Sequence, residues 1–207
     1  MIEQIKDCVR KTWIYVQWKI NNEKNKGYPV DKISLQKAEI VKEYKLKYSL
    51  DILVETGTYL GNMINLVIPN FCQIYSIELS KHLAINAKQR FIDFPHIHIL
   101  QGNSAKVLPE ILLNIKGPSL FWLDAHYSGG FTSKGETETP VISELTEILA
   151  HTIKNHVILI DDARCFGTGD YPTISEMKGI VNTLRPDLNF EVLNDVIRIY
   201  PKLRNEL

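Results

Sequence analysis

Three carboxylates and a histidine follow two short apolar runs of the sequence. Asp124 comes directly after "SLFWL", with His126 two residues later, and Asp161 and Asp162 follow "HVILI". Apolar runs of this length are typical of buried parallel strands, so these side chains are expected at strand ends. Carboxylates that converge repel each other unless a cation, a shared proton or water separates them. The pattern therefore indicates a site that handles charge.

Two kinds of chemistry are compatible with this set of residues. Oxygen-only ligands favour Mg²⁺ or another divalent cation, held by Asp124, Asp161 and Asp162, which could lower the pKa of a bound hydroxyl. Alternatively, Asp161 and Asp162 cap the segment that follows, and Asp124 acts as a lone acid. His126 suits a catalytic base beside Asp124, because imidazole accepts protons near neutral pH. A hydrogen bond from His126 to the substrate is the other interpretation.

A glycine turn and two further acids suit a small cofactor. Gly57 and Gly61 follow the apolar run "DILVET", where glycine lets the backbone turn sharply and approach a ligand. Glu78 ends the next apolar run and could accept hydrogen bonds from two ribose hydroxyls. The turn lacks the further glycines of the dinucleotide fingerprint, and Glu55 stands two residues before Gly57. An acid there disfavours a pyrophosphate and favours a ligand with a positive amino group.

The elements that must position these residues alternate between strands and helices. Strands are predicted at "DILVET", "CQIYSIEL", "HIHILQG", "SLFWLDA" and "HVILIDDA", and helices at about 33–48, 60–68, 80–91 and 140–151. The last of these helices is expected to have Thr139 as N-cap and Pro140 at its first position. Such alternation predicts a parallel sheet covered on both faces, with ligands beyond the carboxyl ends of its strands. The run "NFEVLNDVIRIYP" predicts an antiparallel hairpin around Asn194 and Asp195.

Residues 1–48 are predicted to form an N-terminal helical cap, and 49–207 the main domain. An amphipathic helix is expected over 1–22, where apolar residues recur every three or four positions. The apolar face of this helix and of the predicted helix at about 33–48 could pack on the domain, cover a substrate or meet a partner, which includes a homodimer. Arg164, within a predicted flexible stretch at 163–173, could bind an acidic group of a substrate or pair with a local aspartate.

Composition excludes some classes of partner. The chain has 24 Lys plus Arg and 24 Asp plus Glu, so its formal net charge is zero. No bulk attraction to nucleic acid or to an anionic membrane is expected, and a small molecule is the expected partner. Cys8, Cys72 and Cys165 are isolated in the sequence, which is typical of reduced thiols in a cytoplasmic protein. The first residues also lack the apolar core of a signal peptide.

The motif Glu55-x-Gly57-x-x-x-Gly61, the acid Glu78 and the "GNS" segment together resemble the class I S-adenosylmethionine (SAM)-dependent methyltransferases over about 50–201. The resemblance implies an α/β, Rossmann-like class I methyltransferase fold with a seven-stranded, mostly parallel sheet and a C-terminal antiparallel hairpin. It also implies SAM as cofactor, with the amino-acid end near the glycine turn, the ribose near Glu78 and the adenine near "GNS". The implied cofactor-binding residues are Glu55, Thr56, Gly57, Gly61, Glu78, Asn103, Ser104 and Asp124. The family usually has Asp where this chain has Asn103.

Asp124, Asp161 and Asp162 resemble the metal-binding acids of divalent-cation-dependent O-methyltransferases of the macrocin type, which act on sugar hydroxyls. That resemblance implies O-methylation of a small polar or sugar-like acceptor, with an acid replaced here by His126. Two alternatives are an NAD-dependent oxidoreductase on the same kind of sheet and a non-catalytic nucleotide-binding module. The single tight-turn glycine disfavours the first, and the acids at neighbouring strand ends disfavour the second.

Overall fold

Helices and strands alternate along the chain in the computed structural model, which describes Ile14 and residues 30–124 and 140–202. The helices of these residues are α1 (Lys32–Tyr48), α2 (Asn62–Val67), α3 (Lys81–Arg90), α4 (Ser104–Asn114), α5 (Val141–Ala150) and α6 (Ile174–Leu184). The strands are β1 (Ile52–Thr56), β2 (Gln73–Glu78), β3 (Ile97–Gln101), β4 (Leu120–Leu123), β5 (Val157–Ile160), β6 (Leu188–Leu193) and β7 (Val196–Pro201). Short 3₁₀ turns cover Ile68–Asn70 and Ala163–Cys165.

The seven strands form one sheet in the order β3-β2-β1-β4-β5-β7-β6. The first five run parallel, and β7 is antiparallel to both β5 and β6. This confirms the predicted class I methyltransferase architecture. Thr56 pairs with Leu123 and Leu123 with Ile160, so β1, β4 and β5 end level with one another. The residues that follow these three strands therefore meet at one edge.

The C-terminal hairpin has the turn that its sequence predicts. Leu193 pairs with Val196, which leaves Asn194 and Asp195 as a two-residue loop. Both loop residues have positive φ, 53° and 62° respectively. This is the backbone of a type I′ turn, whose twist matches that of the flanking strands and which Asn and Asp tolerate.

The apolar core lies on both faces of the sheet, because alternate strand residues point to opposite sides. Leu53, Ile74 and Trp122 pack toward the face covered by α1, α2 and α3. Val54, Phe121 and Ile158 pack toward the face covered by α4, α5 and α6. Every residue of β4 and β5 is buried, which explains why both read as unbroken apolar runs.

The start of α5 differs by one residue from the expectation. The N-cap is Pro140 and the first helical residue is Val141, whereas Thr139 lies outside the described residues. The carbonyl oxygen of Pro140 accepts the amide hydrogen of Glu144 at 3.1 Å, which begins the helical hydrogen bonding. Proline fits this position because it lacks an amide hydrogen that would need a partner.

Helix α1 packs against the sheet, one of the roles that the sequence left open for the N-terminal segment. Ala38, Val41 and Tyr44 are buried in the same core as Ile14. The remainder of the amphipathic segment 1–22 lies outside the described residues, and the boundary at 48 stays a prediction. Within the described ranges, no helix combines the length and apolarity that crossing a bilayer requires.

Candidate functional site at the carboxyl edge of the sheet

The turn after β1 is pressed against the end of β4. Gly57 has φ of +86°, and a Cβ there would lie 2.6 Å from the carbonyl oxygen of Asp124. The amide of Gly57 donates to the carbonyl of Ile77 at 2.9 Å, and that of Asp124 donates to Thr56 at 3.1 Å. Both the conformation and the space therefore require glycine at position 57. The absence of a side chain at this position allows close approach by a ligand.

Gly61 has a different role in the same turn. Its φ is +75°, and a Cβ would lie 2.7 Å from Cε2 of Phe91. It stands at the N-cap of α2 without a side-chain hydrogen bond. Gly61 thus lets the start of α2 pack against the end of α3. The four-residue spacing between Gly57 and Gly61 therefore reflects two separate requirements, the turn at Gly57 and this packing.

Glu55 is a buried acid beneath the glycine turn. Its Oε2 accepts a hydrogen bond of 2.5 Å from the Ser76 hydroxyl, which is itself 2.6 Å from the Thr58 hydroxyl. Burial raises the pKa of Glu55 to about 8; Ser76 opposes this shift, and the charges of Asp124 and Glu78 add to it. The carboxyl is therefore mostly protonated at neutral pH. A cationic group brought close to it would favour its ionisation.

Glu78 ends β2 with its carboxylate fixed by two backbone amides. Oε2 accepts from the amide of Tyr59 and Oε1 from that of Ser80, both at 2.8 Å. Tyr59 has the unusual φ of 48° for a non-glycine residue. These bonds hold both oxygens beside the glycine turn, and each oxygen keeps a second lone pair for a ligand hydroxyl.

The predicted adenine-side residues stand at the start of α4. Asn103 is the N-cap, and its Oδ1 accepts from the amide of Ala105 at 2.9 Å. Ser104 is the first helical residue. The Asn103 side chain thus has a structural role that its sequence also signals, since Asn is a preferred N-cap residue.

Glu144 of α5 is a buried acid that the sequence interpretation missed. It is fully buried, and burial raises its pKa to about 7, an effect that the nearby hydroxyls of Ser104 and Thr56 oppose. Neither carboxyl oxygen makes a hydrogen bond of normal geometry within the described residues. The signal was present in the sequence: Glu144 falls on the apolar stripe formed by Val141, Leu145 and Ile148.

The three predicted acids do converge. One carboxylate oxygen from each of Asp124, Asp161 and Asp162 lies within 4.8 Å of the others. The amide of Asp161 donates to the carbonyl of Leu123 at 2.9 Å, which ties the end of β5 to that of β4. Asp162 has φ of 56°, and its amide donates to Oδ1 of Asp161 at 2.8 Å. Left-handed backbone at an aspartate is uncommon and often marks a functional position.

Among the described residues, two cationic side chains contact this acid cluster, defined as Asp124, Asp161 and Asp162. Lys37 Nζ of α1 donates to Oδ2 of Asp161 at 2.6 Å and to Oδ1 of Asp162 at 3.1 Å. Arg164 Nη1 donates to Oδ1 of Asp162 at 2.9 Å and also binds the Asp195 carboxylate. Arg164 therefore pairs with local aspartates, as one of its two predicted roles required.

The neighbouring cations lower the pKa values of Asp161 and Asp162, whereas burial raises them. Burial raises the pKa of Asp161 to about 6; the charge of Asp162 adds to this shift and Lys37 opposes it. Burial also acts to raise the pKa of Asp162, but Lys37 and Arg164 outweigh it, and that pKa is lowered. Two neighbouring carboxyls thus differ in how readily they ionise.

A divalent ion is compatible with part of this arrangement. The oxygen-only donors and their convergence fit Mg²⁺ or Mn²⁺. The ammonium of Lys37, however, already binds one oxygen from each of Asp161 and Asp162. The side chains as they stand therefore do not fit a metal without displacement of Lys37. The predicted base, His126, lies outside the described residues, as does the rest of 125–139.

A cavity of about 680 Å³ adjoins the acid cluster. It lies between α1, the 3₁₀ turn at Ala163–Cys165 and the β6–β7 loop. Its lining comprises Ile33, Gln36, Lys37, Glu39, Ile40, Arg164, Asn194 and Asp195. Lys37 and Arg164 line this cavity and also contact the acid cluster. A molecule bound in the cavity would therefore lie next to these two cationic side chains.

Solved structures with the same architecture are known, although no family model and no curated protein matches the chain. An O-methyltransferase from Bacillus cereus in complex with SAH is 12% identical, with a TM-score of 0.61 over 93% of this chain and 90% of that one. The SAH-bound methyltransferase PaMTH1 from Podospora anserina is 13% identical, with a TM-score of 0.58 over 92% and 88% of the two chains. TomG from Streptomyces achromogenes, an O-methyltransferase of tomaymycin synthesis in complex with SAM, is 14% identical. Its TM-score is 0.58 over 84% of this chain and 81% of that one. At such identities the likeness establishes the class I methyltransferase fold.

Proposed function

We propose that the protein is a SAM-dependent methyltransferase that methylates a hydroxyl group of a small polar acceptor. The observation that carries this proposal is the contact of the Gly57 turn with Asp124, flanked by the buried acids Glu55 and Glu78. That arrangement leaves bare backbone and carboxylates at the edge where ligands of open α/β sheets bind. The shared fold with methyltransferases bound to SAM or SAH, two of them O-methyltransferases, supports it.

In this proposal the cofactor lies across the ends of β1, β2 and β3. Its amino-acid part contacts Glu55, Thr56, Gly57 and Gly61, where ionisation of Glu55 would balance the positive α-amino group. The other cofactor contacts follow the strand order: Glu78 accepts the ribose hydroxyls, and Asn103 and Ser104 adjoin the adenine. Asp124 faces the sulfonium end across the Gly57 turn.

The chemical step is one in-line displacement. The acceptor oxygen attacks the methyl carbon, the carbon–sulfur bond breaks, and S-adenosylhomocysteine (SAH) leaves as a neutral thioether. The hydroxyl proton must go to a base as the new bond forms. We assign that role to His126, with Asp124 positioning the acceptor beside it. Mg²⁺ or another divalent ion on Asp124, Asp161 and Asp162 would supply Lewis acidity toward the acceptor oxygen only if Lys37 were first displaced from Asp161 and Asp162, so no step is assigned to a metal.

The cavity beside the acid cluster supports a sugar-like acceptor, as in the macrocin-type enzymes. Its size is within the range of small-molecule sites. The polar residues Gln36, Glu39, Asn194 and Asp195 line it beside two isoleucines. Polar groups that donate and accept, next to an apolar surface, suit a molecule with many hydroxyls.

Ligand binding tests the class of protein directly. SAH or SAM at a concentration 100 times its Kd should stabilise the folded protein by about 2.7 kcal/mol, seen as a rise in Tm, whereas NAD should not. A rise with NAD alone would support the oxidoreductase alternative. If neither SAH nor SAM changes Tm, the proposed function is wrong.

Turnover tests the assigned chemistry. The combined variant Asp124→Asn and His126→Ala should bind SAH but produce none from SAM in the presence of a panel of monosaccharides and glycosides. A non-catalytic module would give no turnover in the wild type either. Wild-type turnover that survives in the double variant would refute the roles given to these two residues.

A further inference from the structure

Lys37 reaches the acid cluster from a part of the chain that precedes the sheet. It lies on α1, is 124 positions before Asp161 in sequence, and its ammonium lies 2.6 Å from Oδ2 of that residue. Its side chain is 19% exposed, and those of Asp161 and Asp162 are 5% and 10% exposed. Ion pairs shielded from water to this degree are screened less by salt than surface pairs.

The acids need such a partner for electrostatic reasons. Three carboxylates converge within 4.8 Å, and two of them are buried. Buried carboxylates without a counter-charge are costly, and paired ones are tolerated. Arg164 supplies part of the positive charge, but it is shared with Asp195 and its side chain is 61% exposed. Lys37 is the more buried of the two cations that contact the cluster among the described residues.

We propose that Lys37 is a built-in cation that occupies the cation position between Asp161 and Asp162, and that a divalent metal ion binds there only by displacing it. The ammonium and a metal ion would compete for the same two oxygens, and the positive charges would repel each other. Helix α1, which carries Lys37, thereby determines whether the acid cluster is available to a metal. This inference concerns cation binding and does not depend on methyl transfer.

The test measures Mn²⁺ binding by the loss of the free Mn²⁺ signal in electron paramagnetic resonance. Lys37→Met should bind Mn²⁺ at least ~10-fold more tightly than the wild type, because one repelling charge is removed. Lys42→Met is the matched control, since Lys42 lies on the same helix and pairs with Glu39 instead of the cluster. It should bind Mn²⁺ like the wild type. Adding Asp161→Asn to Lys37→Met should abolish the gain.

Amine labelling of the wild type tests the displacement itself and requires no folded variant. Acetylation by a water-soluble succinimidyl ester, followed by mass spectrometry, reports the reactivity of each lysine. Saturating Mn²⁺ should raise the labelling rate of Lys37 and leave that of Lys42 unchanged.

Equal Mn²⁺ affinity in the wild type and Lys37→Met would overturn the inference, and so would Mn²⁺ binding that leaves Lys37 protected. Binding of SAH should be the same in Lys37→Met and the wild type. A protein that shows the competition but never binds SAH would support this inference and contradict the proposed function, so the two can fail separately.

Discussion

The buried polar groups at the two edges of the parallel sheet differ in how they are paired. At the amino edge, the amide of Ser119 donates to Nδ1 of His156 at 3.1 Å, and Nε2 of His156 lies 2.8 Å from Nδ1 of His151. At the carboxyl edge, buried acids crowd together, and the backbone is left-handed at Gly57 and Asp162. At the amino edge these three residues hydrogen-bond to one another. The carboxyl edge accumulates groups that are costly to bury, a pattern found at functional sites.

The same physical cause, burial, shifts the pKa of one group at each edge in opposite directions. Burial raises the pKa of Glu55 to about 8 because the charged form of an acid is the anion. Burial lowers the pKa of His156 to about 4, aided by the charge of His151, because the charged form of a histidine is the cation. Glu55 should therefore contribute more stability at low pH, and His156 should contribute more at neutral pH.

Substitution of Gly57 should break the carboxyl edge most severely. In Gly57→Ala the new Cβ meets the Asp124 carbonyl at 2.6 Å, and the backbone must keep φ of +86°. We expect SAH affinity to fall by at least ~100-fold and the free energy of unfolding to fall by more than about 1 kcal/mol. Isothermal titration calorimetry and urea unfolding measure the two effects.

Gly179→Ala is the matched control for this change. Gly179 lies in α6, where an added Cβ meets nothing within 4 Å. The same substitution there should leave SAH binding intact and raise stability by about 0.5–1 kcal/mol. Normal SAH affinity in Gly57→Ala would show that the turn is not the cofactor site.

Glu55→Gln should remove the contribution of Glu55 to the pH dependence of stability. The folded pKa of about 8 lies above the ordinary value of 4.5. The stability that protonated Glu55 contributes is complete below pH 4.5 and is lost as pH rises toward 8. Glutamine cannot ionise, so the stability of Glu55→Gln relative to the wild type should rise by about 3 kcal/mol between pH 5 and 8, at about 1.4 kcal/mol per pKa unit.

Urea unfolding at a series of pH values measures this difference. A second measurement is proton release on SAH binding at pH 7, from calorimetry in buffers of different ionisation enthalpy. The wild type should release a proton as Glu55 ionises, and Glu55→Gln should release less. A stability difference that is constant with pH would contradict the raised pKa of Glu55.

The contrast between the edges was only partly visible in the sequence. The strand ends were predicted because β1, β4 and β5 are buried on both faces and read as apolar runs. Their level alignment then made convergence of Asp124, Asp161 and Asp162 a consequence of parallel topology. The Asn194-Asp195 turn was predicted for a local reason, the tolerance of these residues for positive φ.

Long-range pairing could not be predicted in this way. Lys37 is one of several lysines in α1, and no local pattern distinguishes it as the partner of Asp161, 124 positions away. The burial of Glu144 depends on how α5 packs over Ser104 and Thr56. Helix caps can be predicted in part from the sequence. Asn is a preferred N-cap residue, which fits Asn103, but an Asn at this position was equally compatible with a contact to adenine.

Glu78 tests whether the carboxyl edge holds a ribose. Glu78→Ala removes the acceptor for the amides of Tyr59 and Ser80 as well as the proposed ribose contacts. We expect SAH affinity to fall ~10–100-fold, as for the loss of one or two charge-assisted hydrogen bonds. Glu78→Gln keeps one acceptor oxygen and should be intermediate. Glu176→Ala, which breaks the capping box of α6, should lower stability but not affinity.

His156→Gln should have the smallest effect of these substitutions, and it changes the amino edge alone. Its folded pKa of about 4 lies below the ordinary 6.5, so its neutral form contributes stability above pH 6.5 that is lost as pH falls toward 4. Glutamine does not titrate, so the wild type should lose about 1–2 kcal/mol more than His156→Gln between pH 6.5 and 4.5 in urea unfolding. His82→Gln, at an exposed position of α3, controls for removal of a histidine.

SAH affinity at pH 7.5 should be equal in all three proteins, because the amino edge is not in contact with the proposed cofactor site. A weaker SAH complex in His156→Gln would mean that the two edges are coupled through β4 and β5, whose ends they share.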